Sequence, residues 1–363
     1  MRQIYKKMYQ NAQLSAILAG YQPKEIFVVA DSKVDVELPY PTIRIEASES
    51  NKSLSSAEQI WRFLAEYHAT RQAVLINIGG GVICDLGGFA AATYMRGIDY
   101  INIPTTLLAM VDAAVGGKTA VNLETENEEP ETLLKNYVGA FRMPKATIID
   151  TSFLQTLPPE ELLSGFGEVL KTALLSSPDM FIRAQKILAD FSDHYGTSTG
   201  LPRALQSPDF VSLINECIAY KQSIVTKDPE ESGLRKVLNF GHTVGHAIEE
   251  NQIVNRQSSN RQSPHGYCVV WGIVAELYLS VVLCGCSRAT LTLVSHLMIE
   301  YFGRPQCNCK QQAELINLMR QDKKNSSSND INFTLLRNVG DPIINQVADE
   351  SLINEALDYL FSL

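Results

Sequence analysis

Two histidines four residues apart, His242 and His246 in Leu238-Asn239-Phe240-Gly241-His242-Thr243-Val244-Gly245-His246, are the pair in this chain best placed for metal or proton chemistry. Side chains at that spacing share one helix face, and neutral imidazole nitrogens bind metals and move protons near neutral pH. The chain has only six histidines, and a third, His265, follows in Pro264-His265-Gly266. His68, His194 and His296 stand in contexts that suit structural or surface roles. Upstream, Glu168 and Lys171 share a helical face, which suits either an ion pair or a metal-binding carboxylate beside an anion-binding lysine. Glu168 with two histidines would make a three-ligand zinc site with an open position, the pattern of catalytic zinc. Glu231, Arg235, Asn239, His242 and His246 step along at four, four, three and four residues, which predicts a polar stripe on one helix over residues 234–250 and its lead-in.

Two glycine-rich segments offer anion chemistry. Gly79-Gly80-Gly81-Val82-Ile83-Cys84-Asp85-Leu86-Gly87-Gly88 follows an apolar run and opens a helical one. Glycines there let the backbone approach a pyrophosphate, and a helix N-terminus offers unpaired N–H groups. The third glycine is out of register for the usual dinucleotide fingerprint. Gly116-Gly117-Lys118-Thr119 resembles the end of a P-loop, but Asp112 stands where that motif needs glycine, which disfavours a nucleoside-triphosphatase. Lys118 remains a candidate point charge for phosphate or carboxylate, with Asp112 beside it for a hydroxyl.

The elements that must position these groups change character along the chain. Ile26–Ala30, Val74–Ile78, Tyr100–Ile103 and Thr147–Ile149 read as short strands separated by helix-length segments, the rhythm of a parallel α/β sheet. From about residue 151 long amphipathic runs take over: 160–175, 211–225, 234–250 and 267–284. The expectation is an α/β domain over 1–152 and a helical domain over 153–363, with the active site in the cleft between them. Residues 124–131, 255–264 and 325–330 read as polar surface loops.

Composition narrows the partners. At 363 residues, 45% hydrophobic, 20% charged and with net charge −9, the chain suits a globular protein, with no nucleic-acid partner. A locally basic pocket for a small anion is compatible with that charge. No run is read as long and apolar enough to span a membrane, and no signal core follows the N-terminus, so a cytoplasmic setting is expected. Seven cysteines argue against a disulfide framework, and Cys284/Cys286 and Cys307/Cys309 are read as plain thiols.

Taken together, these blocks resemble the 3-dehydroquinate synthases, sugar-phosphate cyclases of the shikimate pathway. The resemblance is carried by residues 79–122, by LKNYVGAF, FLQTLPPEELLSGFGEVLK, the run from Lys221 to Glu249, Pro264-His265-Gly266 and Asp322-Lys323-Lys324. It implies a Rossmann-like NAD-binding α/β domain followed by an all-α metal-binding domain. NAD+ would be held by Asp31, Lys33, Glu49, Lys52, Gly80, Gly81, Val82, Asp85, Thr105 and Thr106, with Asp112 and Lys118 serving cofactor and substrate alike. The metal ligands for Zn2+ or Co2+ would be Glu168, His242 and His265. Substrate would meet Arg96, Lys135, Asn136, Lys171, Lys221, Arg235, Asn239, His242 and Lys323. Glu231 and His246 would carry protons, with Lys118 and Arg235 completing the catalytic set. Spacing alone leaves both His242 and His246 open as ligands; the resemblance gives His246 to proton transfer and brings in His265.

The implied activity is that of a carbon–oxygen lyase turning 3-deoxy-D-arabino-heptulosonate 7-phosphate into 3-dehydroquinate and phosphate, the second step of chorismate biosynthesis. A hydroxyl is oxidised, phosphate is eliminated, the ketone is reduced back and a ring closes, with no net redox change. The resemblance also implies a homodimer. Other sugar-phosphate cyclases and glycerol dehydrogenase-type polyol dehydrogenases are the alternatives; the intact run Val111–Thr119 favours the first reading, and so many anion-binding cations disfavour the last.

Overall fold

The computed structural model of the chain describes residues 12–124, 133–193, 205, 207–254, 263–305, 307, 311–321 and 330–363. Lys323, Cys309, His194 and most of the three polar segments lie outside the described residues. The chain divides into two compact units, Met1–Leu157 and Pro158–Leu363. The division falls five residues later than residue 153, where Pro158-Pro159 stops one short turn and opens the next helix.

Unit 1 is built on a five-stranded parallel sheet in the order β2-β1-β3-β4-β7. Its strands are β1 (Ile26–Asp31), β2 (Thr42–Ile45), β3 (Val74–Gly79), β4 (Asp99–Pro104) and β7 (Ala146–Thr147). Strands β1 and β3 are buried along their whole length, which is why they read as unbroken apolar runs. Helix α1 (Ala12–Leu18) precedes the sheet. Helix α2 (Leu54–Glu66) is capped by Ser53, whose side chain accepts the Ser56 N–H, and buries Ala57, Ile60 and Leu64. Helix α3 (Gly81–Thr93) is almost wholly buried, packed against β3, β4 and α2. Antiparallel strands β5 (Lys118–Glu124) and β6 (Leu133–Phe141) were not expected from the sequence. Gly116 and Gly117 turn with φ of 115° and 64°, and Lys118 then opens a strand; a P-loop needs a helix there.

Unit 2 is mainly helical. It comprises α4 (Pro159–Ser176), α5 (Pro178–Asp193), α6 (Pro208–Lys227), α7 (His242–Val254), α8 (His265–Cys284), α9 (Arg288–Leu297), α10 (Gln312–Gln321) and α11 (Glu350–Ser362). It is not all-α: β8 (Asn332–Asn338) and β9 (Asp341–Val347) form an antiparallel hairpin whose turn contains Gly340 at φ 87°. Helix α8 also corrects the membrane expectation, because by length and composition it is apolar enough to cross a bilayer. Here it is the central core helix, packed against α4, α7, α9, α11 and β8.

The single helix expected over 234–250 is broken. Leu234–Asn239 is a 3-10 segment, Gly241 turns with φ 78°, and α7 starts at His242. Glu231, itself at φ 61°, Arg235 and Asn239 therefore do not continue the face that His242 and His246 share.

Two backbone approaches set the helices of unit 2. A Cβ on Gly266 would stand 1.8 Å from the Ser164 carbonyl oxygen, and one on Gly167 would stand 2.4 Å from that of Gly266. The Gly266 N–H donates to Ser164 Oγ at 3.1 Å, so α4 and the start of α8 touch without intervening side chains. Neither position has room for a methyl group unless the helices part. Gly266→Ala is expected to destabilise unit 2 by about 3 kcal/mol, the upper range for an overpacked core. Chemical denaturation checks this, and an unchanged midpoint would contradict the close approach.

Candidate metal centre and nucleotide-binding residues

The helix contacts just described bring Glu168 on α4, His242 and His246 on α7, and His265 at the start of α8 into one cluster. Glu168 has no exposed surface. Its Oε2 meets Lys171 Nζ at 2.5 Å, while its Oε1 stands 3.5 Å from His242 Nε2 and 3.3 Å from His265 Nε2. Two atoms bound to one tetrahedral zinc at about 2.0–2.1 Å stand about 3.3–3.4 Å apart, so these separations fit a shared divalent ion. His246 belongs to the same group: a ring nitrogen from each of the three histidines lies within 4.8 Å of the others. The donor set of imidazole nitrogen and carboxylate oxygen suits Zn2+ and Co2+ alike.

The remaining ring nitrogens of two histidines are also held. His242 Nδ1 lies 3.1 Å from the Phe240 carbonyl oxygen, and His265 Nδ1 lies 2.9 Å from Glu249 Oε2. A proton on Nδ1 leaves Nε2 with its lone pair toward Glu168, the arrangement in which metal-binding imidazoles are oriented by an outer partner. Glu249 carried no assignment from sequence; its only signal was that it lies on the same α7 face as His242 and His246, seven and three residues on.

His265 shows the electrostatics of the centre. Burial works against a charge on its ring, but the Glu249 carboxylate, hydrogen bonds to Glu168 and Glu249, and the Glu168 charge outweigh it and push the pKa up to about 10. Without metal, the ring holds a proton between two carboxylates at neutral pH. A divalent cation answers the same negative charge.

Other candidates of unit 2 are brought close in smaller groups. Lys171 and Lys221 are buried, as is Arg235. The Arg235 guanidinium donates to the Pro229 carbonyl at 2.6 Å, and Asn239 donates to Glu231 Oε1 at 2.9 Å. Asp228 shapes the turn that leads into this 3-10 segment by accepting the backbone N–H groups of Ser232, Gly233 and Arg235. Those bonds, the one from Arg235 first, hold its carboxyl down to about 2. Helix α6, which carries Lys221, packs on the 234–239 segment.

In unit 1, Asp31, Gly80 to Val82, and Thr105 with Thr106 stand at the C-terminal ends of neighbouring strands β1, β3 and β4. Strand order reverses beside β1, and such an edge is where open parallel sheets bind dinucleotides. Gly80 caps α3 without a side chain, and a Cβ on it would stand 3.1 Å from Thr106 Cγ2. Asp31 Oδ1 accepts from the N–H of Lys33 and of Ala47, while the Lys33 ammonium pairs with Glu46 at 3.0 Å. Buried Lys52 donates to Asp85 Oδ2 and Asn136 Oδ1, both at 2.5 Å.

Asn122 is the residue of this group that sequence reasoning passed over. Its amide donates to Glu49 O and Oε2 at 2.9 Å each, its Oδ1 accepts the Asn136 N–H at 2.8 Å, and its own N–H donates to Lys52 O at 2.7 Å. It thus fixes Glu49, Lys52 and Asn136, the last at φ 52°. Asp112 lies in the π-helical turn Ala109–Ala113, Lys118 is exposed at the start of β5, and Lys135 lies on β6. Arg96 stands in an exposed turn after α3, at φ 69°. The cysteines described are free thiols; burial pushes Cys84 and Cys286 up, and Cys307 up to about 11, as befits inert side chains.

Because the metal-free ring of His265 is protonated below about pH 10, metal must displace that proton. Zinc affinity is expected to rise about tenfold per pH unit between neutrality and that pKa for one displaced proton. Calorimetric titration in buffers of different ionisation enthalpy reads the proton count. Uptake with no proton released, or release undiminished in His265→Ala, would contradict the charge balance described.

Comparison with known proteins identifies the family of the chain. The family model for the 3-dehydroquinate synthase N-terminal region matches residues 42–164, and that for the C-terminal region matches residues 165–325. The 3-dehydroquinate synthase of Parabacteroides distasonis is 43% identical over 319 residues, covering 88% of this chain and 83% of the relative. That of Thermococcus kodakarensis is 37% identical over 316 residues, covering 87% and 80%. Among solved structures, 2-deoxy-scyllo-inosose synthase complexed with carbaglucose-6-phosphate, NAD+ and Co2+ shares the fold, with a TM-score of 0.74, 22% identity and coverage of 95% and 94%. A probable glycerol dehydrogenase from Sinorhizobium meliloti shares it more distantly, with a TM-score of 0.60, 14% identity and coverage of 96% and 93%. With both halves of the chain matched and relatives this similar along most of it, the chain belongs to the 3-dehydroquinate synthase family.

Proposed function

We propose that the chain converts 3-deoxy-D-arabino-heptulosonate 7-phosphate to 3-dehydroquinate and phosphate, using catalytic NAD+ and a divalent metal. The observation that carries this reading is the meeting of Glu168, His242 and His265 at ligand spacing in a chain of this family. NAD+ and Co2+ accompany 2-deoxy-scyllo-inosose synthase, and NAD+ and Zn2+ accompany a 2-epi-5-epi-valiolone synthase from Streptomyces hygroscopicus, both of this fold. When bound, the metal supplies Lewis-acid polarisation of a substrate oxygen, and the nicotinamide supplies a reversible hydride acceptor.

The chain's own residues supply position and charge. Glu168, His242 and His265 hold the metal. His246, one turn beyond His242, is left to move a proton, and Glu231 is held by Asn239 for the same task. Lys171, Lys221, Arg235, Asn239 and Lys323 meet the anionic and hydroxyl groups of the substrate, with Arg96, Asp112, Lys118, Lys135 and Asn136 from unit 1. Buried cations are costly alone, so Lys171 and Arg235 are prepaired, with Glu168 and the Pro229 carbonyl. This accounts for an anion-binding set on a chain of net charge −9. Asp31, Lys33, Glu49, Lys52, Asp85 and the 80–82 and 105–106 turns hold NAD+. The homodimer and the cytoplasmic setting belong to the same reading.

With the heptulosonate phosphate, zinc and NAD+ in catalytic amount, the chain should release phosphate and form dehydroquinate without accumulating NADH. No phosphate release would sink the proposal, and NADH accumulation on a polyol would favour a dehydrogenase. Among variants, His265→Ala should lose bound zinc and turnover together. His246→Ala should keep zinc while kcat falls about 10²–10⁴-fold, the usual worth of a proton-transfer group. Zinc loss in His246→Ala would make it a ligand.

A further inference from the structure

Glu276 is a carboxylate with no exposed surface on α8, a helix whose neighbouring inward residues Ile273, Val274 and Leu277 are apolar and buried. A carboxylate in such surroundings persists only where charge or hydrogen bonds compensate it. The compensation comes from the start of α7. Glu276 Oε2 accepts the Gly241 N–H at 2.6 Å, and Oε1 accepts the N–H groups of Thr243 at 3.1 Å and Val244 at 3.3 Å. The first amides of a helix have no partner within it, and its N-terminus favours negative charge. A helix is ordinarily capped by the residue that precedes it, but here that residue is Gly241, which has no side chain.

We propose that Glu276 is the positioning residue of the metal centre, gripping the backbone on both sides of His242 and so fixing how that imidazole is presented. The proposal rests on the metal-binding reading above. Because the N–H groups of Gly241 and Thr243 are held by one carboxylate, the His242 backbone between them cannot shift without breaking a bond on each side, and its ring is steadied in turn by Nδ1 at the Phe240 carbonyl. A cap from α7 itself would fix that helix only to itself; a cap from α8 fixes it in register with the helix that begins at His265. The other end is tied in the opposite sense, since Glu249 on α7 holds His265 Nδ1. Between these ties the backbones touch, a Cβ on Gly272 standing 2.0 Å from the Gly241 carbonyl oxygen. The N-terminus of each helix, where His242 and His265 stand, is thus tied to the body of the other by a carboxylate that itself need not touch the metal.

The test is Zn2+ affinity of the full-length protein, with the visible spectrum of its Co2+ form as a second readout. Glu276→Gln keeps the shape but turns an amide NH2 toward a backbone donor. It should weaken Zn2+ binding about ten- to hundredfold, the usual effect of losing an outer partner, and shift the Co2+ bands. Glu276→Asp, which keeps the charge one methylene short, should fall between it and the parent, and serves if the glutamine variant does not fold. Ser280→Ala is the control for lost stability alone: Ser280 Oγ donates to Glu276 O at 2.6 Å and accepts the Leu336 N–H at 3.0 Å, away from α7. It should lower Tm and leave Zn2+ affinity as it was. Parent-like Zn2+ affinity and Co2+ bands in a folded Glu276 variant whose Tm alone has dropped would overturn the proposal. An unsubstituted protein that takes up no zinc would overturn the metal reading and the proposal with it.

Discussion

The buried carboxylate of Glu168 is the interaction on which unit 2 turns. One oxygen holds Lys171 and the other faces His242 and His265, so a single anion is shared by three cationic or metal-binding partners from three helices. Removing one member of such a buried pair commonly costs about 3–5 kcal/mol, because the other is left charged and unsolvated. Within this group, Glu168 and Glu249 together exceed the charge of Lys171 by one. The proton on His265 answers that excess in the absence of metal, and a divalent ion answers it in its presence. Under the metal-binding reading proposed above, fold stability and metal chemistry are two uses of one charge arrangement.

Close backbone contact sets the separations that the proposed metal centre needs. Ser164, Gly167 and Gly266 bring α4 onto the start of α8, and Gly241 with Gly272 brings α7 onto its middle. Long side chains at these points would separate the helices by several ångströms and take Glu168 out of reach of both imidazoles. Unit 1 uses a related economy of means. Its adjacent strand ends gather Asp31, the 80–82 turn and the 105–106 turn, while Asn122 ties Glu49, Lys52 and Asn136 through four hydrogen bonds.

Much of this was legible in the sequence. The apolar runs at Ile26, Val74 and Tyr100 predicted buried parallel strands, and Glu168 with Lys171 was read both as an ion pair and as a ligand beside a cation. The ion pair is present on one carboxylate oxygen, and the other oxygen faces His242 and His265, where the proposed metal would sit. The polar stripe from Glu231 to His246 misled, because periodicity cannot see the turn at Gly241 that ends one segment and starts another. Lys118 was read as a point charge after a P-loop-like turn, whereas it opens a hairpin strand. Glu249, Glu276 and Asn122 were given no role, since their partners are a ring nitrogen, backbone groups or a carboxylate distant in sequence. Such partners become visible only when the chain is folded. The hairpin of β8 and β9 was missed because its strands follow a long helical stretch and β9, nowhere fully buried, has no unbroken apolar run.

The division of labour among the three clustered histidines is the central claim, and the zinc K-edge reads it most directly. Zinc-loaded crystals should show an anomalous peak bonded to Glu168 Oε1, His242 Nε2 and His265 Nε2, with the His246 ring outside bonding distance. A peak bonded by all three imidazoles, with Glu168 left to Lys171, would contradict it.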